Sequence, residues 1–153
     1  MATTVTAENL TVTITESYTL NGVSYGNTMN KTYTDNGEVY QRIMTIAADA
    51  GRSSWTDIIN FGAADDAGQA DITNYKYFRI KNLDDTNFLE LRVTGTADSF
   101  FVKIKAGETF LLMDNEIDAE QSSTTVGTLT DITQIAANAD TDAIDIEFVC
   151  VTA

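Results

Sequence analysis

Alternation of apolar and polar residues with a period of two governs most of this chain, and no other feature of the sequence narrows the fold as far. In "LTVTITES", Leu10, Val12 and Ile14 point one way and Thr11, Thr13 and Thr15 the other. That spacing predicts a half-buried strand with a polar outer face. The rhythm returns in "EVYQRIMTI" (Tyr40, Met44 and Ile46 on one face), in "WTDIINFG" (Trp55, Ile59 and Phe61) and in "YKYFRIKN" (Phe78 and Ile80 against Tyr77, Arg79 and Lys81). It continues in "FLELRVTG" (Leu89, Leu91 and Val93 against Glu90 and Arg92), in "SFFVKIK" (Val102 and Ile104 against Lys103 and Lys105) and in "AIDIEFVCV" (Ile144, Ile146, Phe148 and Cys150).

Turn chemistry separates these runs. Asn21-Gly22 predicts a tight turn, because both residues tolerate positive φ. "DNG" at 35–37 predicts another, "DAGRSS" at 49–54 a loop, and residues 63–74 the longest polar loop. A kink is expected at Gly26, and hairpins about Ala106-Gly107 and about the corner "NLDDTN" at 82–87. With about ten short strand candidates and no amphipathic helical pattern, the expected architecture is all-β: a single antiparallel β-sandwich, jelly-roll-like. The expected organisation is an N-terminal arm over residues 1–8 and a sandwich over residues 9–153. The length of 153 residues suits one domain with a sizeable core.

Charge and composition narrow the chemistry. Nine Lys and Arg face 23 Asp and Glu, a net charge of −14. Such a surface repels phosphate backbones and anionic bilayers, so neither nucleic acid nor membrane is expected as a partner. Histidine is absent, which removes the imidazole base, the Ser-His and Cys-His pairs and the imidazole metal ligand. The single cysteine, Cys150, lies on an apolar strand face and is expected to be a buried thiol. The N-terminal "MATTVTAENL" has neither the basic segment nor the apolar run of a signal peptide, and no stretch approaches the length of a membrane helix.

Several residue groups mimic sites. Asp84 and Asp85 pair two carboxylates, as an acid/base pair or a calcium site would. Asn and Asp also bend a chain by bonding their own backbone, and the corner is read as a bend. Asn138, Asp140 and Asp142, and again Asp114, Glu116 and Asp118, imitate the start of a calcium loop. Neither continues as one: Ala143 or Ala119 stands where glycine is needed, and Val149 or Thr125 where the distal glutamate belongs. Trp55, Tyr75 and Tyr77 are candidates for a sugar-stacking platform, against the alternative of packing. Lys103 and Lys105 share a face with Phe101 and are read as a solvated face. Asn9 and Asn30 head glycosylation sequons. No catalytic residue, cofactor or metal ligand is assigned.

The order "KYFRIKNLDDTNFLELRV", then "FFVKIKAGETFLLM", then two closing strands resembles small virion proteins of tailed phages, especially those of marine and cyanobacterial hosts. The upstream "LTVTITESYTLNGVSYGN" and "NGEVYQRIMTI" are similar to the N-terminal half of such proteins. These motifs are structural turns and strands, with no catalytic residue to carry over. The resemblance implies a virion structural protein. The leading expectation is a capsid decoration (cement) protein on the outer surface of the particle, where acidic charge belongs. Its expected partners are the major capsid protein or other virion subunits, with the protein itself a homotrimer. Residues 2–8, 63–73 and 115–129 are the expected contact pieces. A tail, neck or fibre component is the alternative within that class, and a carbohydrate-binding sandwich the alternative outside it.

Overall fold

The computed structural model describes residues 8–62, 70–71, 75–95, 99–113, 116–117 and 129–152. Thirteen strands lie within them: β1 (Glu8–Leu20), β2 (Val23–Asn36), β3 (Glu38–Ile46), β4 (Thr56–Gly62), β5 (Ala70–Asp71), β6 (Tyr75–Asn82), β7 (Leu89–Thr94), β8 (Ser99–Ile104), β9 (Thr109–Leu112), β10 (Glu116–Ile117), β11 (Thr130–Asp131), β12 (Gln134–Ala139) and β13 (Ile144–Thr152). No helix occurs among the described residues.

Two sheets make the body, one in the order β5-β4-β12-β7-β8 and the other β3-β13-β6-β9. Apart from the short parallel pair β4–β5, the strand pairs described are antiparallel. The alternating residues meet between the sheets. Leu89, Leu91, Val93, Ile135 and Ala137 come from one side, and Ile46, Phe78, Ile80, Ile144, Ile146, Phe148 and Cys150 from the other. Burial of these side chains is the main force holding the sheets together. Phe78 and Phe148 stack across neighbouring strands with centroids 6.2 Å apart. The chain is therefore the expected all-β antiparallel sandwich.

Connectivity departs from expectation in an instructive way. β6 and β7 were expected to form a hairpin about the corner at 82–87, but they belong to opposite sheets. The same holds for β8 and β9 about Ala106-Gly107, and the closing strands β12 and β13 also lie in opposite sheets. The turn residues are real: Gly107 has φ +72, and Glu108 N donates to Lys105 O at 3.0 Å. They bend the chain from one layer to the other rather than back along the same layer. An alternating pattern specifies which face of a strand is buried, but both layers bury the same kind of face.

Two smaller corrections follow from local irregularity. Trp55 does not align with Ile59 and Phe61. The register against β12 shifts between Ile135↔Ile59 and Ala136↔Asp57, so Ile58 is an extra residue and the parity reverses. Ile58, Ile59 and Phe61 are buried, while Trp55 is on the outside. At Gly26 the pairing of β1 with β2 runs through without a shift, so the expected kink is absent. In the 63–74 segment, Ala70 and Asp71 form strand β5 beside β4, with Ala70 buried.

Candidate interaction surfaces

β1 and β2 are the longest strands described, 13 and 14 residues. Among the described residues they pair only with each other, around a two-residue loop in which Asn21 (φ +51) and Gly22 (φ +80) both take the left-handed conformation that such loops require. Cross-strand partners share a face, and the two faces of this ribbon differ completely. One carries Leu10/Tyr33, Val12/Lys31, Ile14/Met29, Glu16/Asn27, Tyr18/Tyr25 and Leu20/Val23. The other carries Thr11/Thr32, Thr13/Asn30, Thr15/Thr28, Ser17/Gly26 and Thr19/Ser24. Hydroxyl and amide contacts knit the polar face, as in Thr13 Oγ1 to Asn30 Oδ1 at 2.8 Å.

The base of the ribbon is anchored. Tyr33, with Leu10 and Val12, packs on Tyr77, Val149 and Val151 of the four-stranded sheet's outer face and on Met113. Tyr33 and Tyr77 have ring centroids 6.3 Å apart. Asn36 ties the same end, its Nδ2 donating to Glu8 O at 2.6 Å and to Tyr33 O at 2.9 Å. Beyond the base the same apolar face runs on without cover. Tyr18 is 57% exposed, Leu20 58%, Val23 53% and Met29 54%. A notch of about 290 Å³, lined by Val12, Ile14, Met29, Tyr33 and Met113 among others, opens where the ribbon leaves the body. From Ile14 to Leu20 the free part extends roughly 23 Å at ~3.3 Å per residue.

Beside the ribbon's footing, the outer face of the four-stranded sheet has a second uncovered strip. The cross-strand row Tyr77–Val151–Val39 is buried at Tyr77 and Val151 and 66% exposed at Val39. Ile43, in the row Lys81–Glu147–Ile43, is 67% exposed. Between them Arg79 meets Glu147 at 3.0 Å, and Glu147 also accepts from Gln41. The Arg79 guanidinium holds the Glu147 carboxyl below the usual carboxylate range.

The outer face of the five-stranded sheet bears a different surface. Trp55 and Phe101 lie with centroids 5.6 Å apart, and the Arg92 guanidinium sits 5.0 Å from the Trp55 ring. Arg52 pairs with Glu90, its Nε donating to Oε2 at 2.6 Å. Arg52, Trp55, Glu90 and Phe101, with Val102 and Lys103, line a groove of about 510 Å³. Trp55, Tyr75 and Tyr77, weighed as a sugar platform against packing, do not come together as a platform. Tyr75 is buried edge-on against Phe61 in the core, and Tyr77 lies beneath the ribbon. Lys103 does share its face with Phe101, and its Nζ sits 3.5 Å from the Phe88 ring centroid.

The acidic motifs are engaged in holding loops. At the corner, Asp84 Oδ1 accepts from the backbone N–H groups of Thr86 (2.8 Å) and Asn87 (2.6 Å). These bonds, the one from Asn87 foremost, hold its carboxyl below the ordinary value. Buried Asn82 accepts from Asp84 N at 3.0 Å and donates to Asn87 O at 2.9 Å. The corner is a bend, as read. Asn138 is also buried, and both ends of its amide grip the backbone of Asp49, at 2.9 Å each. Asp49 in turn accepts from Gly51 N, Ser53 N, Ser53 Oγ and Ser54 N. The loop expected at 49–54 is thus present, and Asp49 is the side chain that holds it.

Among the described residues, no three His, Cys, Asp or Glu side chains gather as a metal site. Asp114 and Asp118 lie outside the described residues, as do most of the expected contact pieces 2–8, 63–73 and 115–129. Cys150 is fully buried, and that burial pushes its thiol up to about 12. The chain matches no family model, no curated protein and no solved structure.

Proposed function

We propose that the protein is a structural part of a virus particle, a capsid decoration protein that attaches to the shell through its β1–β2 ribbon. The observation that carries this reading is the ribbon itself: an amphipathic two-stranded arm whose apolar face is anchored at one end and uncovered at the other. An uncovered apolar stripe of this kind marks a protein interaction surface. The net charge of −14 keeps the rest of the surface soluble and suits the outside of a particle rather than a face turned toward DNA.

Strand order adds support. Leaving aside β1, β2, β5, β10 and β11, the remaining strands counted one to eight along the chain fall in the orders 1-8-3-6 and 2-7-4-5. We read this as jelly-roll connectivity, an arrangement of eight strands found in viral capsid domains and in lectins. Fold alone does not assign function, so the weight rests on the ribbon.

The test is attachment. Shells of the cognate capsid protein, stripped of this chain and then mixed with it, are expected to bind it and to withstand heating better. A chain carrying Tyr18→Ser and Val23→Ser is expected to bind far less. Shells that ignore the intact chain would overturn the reading.

One observation favours a second reading, carbohydrate binding: the groove beside Phe101, which is 55% exposed and ringed by Arg52, Glu90 and Lys103. Binding on a glycan array that disappears with Phe101→Ala would establish it.

A further inference from the structure

We infer that the free half of the ribbon docks on a second copy of this chain, laying its apolar face on the outer face of that copy's four-stranded sheet, along Val39 and Ile43. The inference rests on the reading of the ribbon as an attachment arm and names one partner for it.

Four observations lead there. First, a two-stranded ribbon that has no third strand among the described residues, and whose apolar face is exposed, is marginal in water, so the stretch from Ile14 to Met29 calls for a packing partner. Second, the surface that this face fits is already displayed within the molecule. Its base, through Leu10, Val12 and Tyr33, packs on the outer face of the four-stranded sheet. The uncovered strip of Val39 and Ile43 continues that face, Val39 standing in register with the Val151 that the ribbon buries. One copy's free face and another copy's free strip extend a contact that the chain makes with itself.

Third, charge permits it. Residues 9–34 carry one acid, Glu16, and one base, Lys31, in a chain of net charge −14. The ribbon is thus the part of the molecule least repelled by another copy. Glu16 lies on the apolar face, and Lys81 lies on the receiving face in the same cross-strand row as Ile43. Fourth, the contact is face to face rather than edge to edge. Arg42, exposed on the edge strand β3, has the parity of the core-facing residues Met44 and Ile46, and an inward-turned charge guards an edge against strand addition. If each copy gives one ribbon and receives one, the copies form a ring where the rotation between them closes and an open chain where it does not.

The experiment uses the purified chain without any shell. Light scattering coupled to size exclusion is run in low salt and at about 0.5 M NaCl, where the Debye length falls to a few Å and repulsion between acidic bodies fades. The intact chain is expected to be oligomeric at the higher salt. Tyr18→Ser with Val23→Ser disables the ribbon, and Ile43→Asp disables the receiving strip; all three positions are exposed, so both variants keep the core. Each variant alone is expected to run as a monomer. A mixture of the two is expected to regain heteromeric complexes, because one retains the strip and the other the ribbon. A chain that is monomeric at every salt and concentration overturns the inference, and so does an Ile43→Asp variant that assembles normally. A monomeric chain that still needs its ribbon to bind shells would remove this inference and leave the attachment reading standing. Self-association without shell binding would do the reverse.

Discussion

Gly26 lies so close to Glu16 across the ribbon that a Cβ added at Gly26 would fall 2.5 Å from the Glu16 carbonyl oxygen. Any side chain there must push the two strands apart. The site is far from the sandwich core, so Gly26→Ala is expected to loosen the ribbon and leave the body intact. Amide exchange should accelerate over residues 14–29 while β6, β7, β12 and β13 stay protected. Unchanged exchange in the ribbon would show that the strands absorb the methyl group.

Phe148→Ala removes a buried ring that stacks on Phe78, and is expected to cost about 3–5 kcal/mol in urea unfolding. Thr11→Ala lies on the exposed polar face of the ribbon and is expected to cost under about 0.5 kcal/mol. Equal losses would contradict the assignment of inner and outer faces.

The corner at Asp84 gives a pH signature. Backbone N–H bonds lower its folded pKa below the ordinary value of 3.8. Its ionised form therefore stabilises the fold above that value, and the contribution disappears as pH falls through the folded pKa. Asp84→Asn keeps an acceptor oxygen but cannot titrate. Wild type is expected to melt slightly above Asp84→Asn at pH 7, and the difference should vanish in strong acid.

Asn138→Ala is expected to cost about 1–3 kcal/mol, because it leaves the Asp49 N–H and C=O without the partners that the amide supplies. Added calcium is expected to leave the melting temperature of wild type unchanged, since the Asn138 amide is already engaged. A calcium-dependent rise that is lost with Asp140→Asn would reinstate a cation site there.

Faces were legible in the sequence and partners were not. Leu89, Leu91 and Val93 against Glu90 and Arg92 announce an inner and an outer side, because burial acts residue by residue at a period of two. Nothing local to Asn82, Gly107 or Asn138 says whether the next strand returns in the same layer or crosses to the other, because both choices bury the same alternating residues. Trp55 was misplaced because one extra residue, Ile58, reverses the parity, and a bulge has no mark in a run of apolar residues. The alternation of Leu10, Val12 and Ile14 predicts a half-buried strand, not half of a ribbon standing clear of the body. The ribbon's signals were present: two runs of uncommon length about one Asn-Gly turn, with only Glu16 and Lys31 charged in residues 9–34. They identify a surface only once the remaining strands are seen to complete both sheets without it.

The crossing of successive strands between layers also sets a timetable for folding. Neither sheet can close until segments distant along the chain have met: among the described strands β3 pairs with β13 alone, and β4 with β12 and the short β5. Topologies of that kind fold in roughly milliseconds to seconds, while a hairpin built on adjacent residues closes in about 1–10 μs. The β1–β2 ribbon is of the second kind. It can form, with its greasy side already displayed, well before the sandwich has decided its own layers, so chain concentration during synthesis becomes a variable of folding.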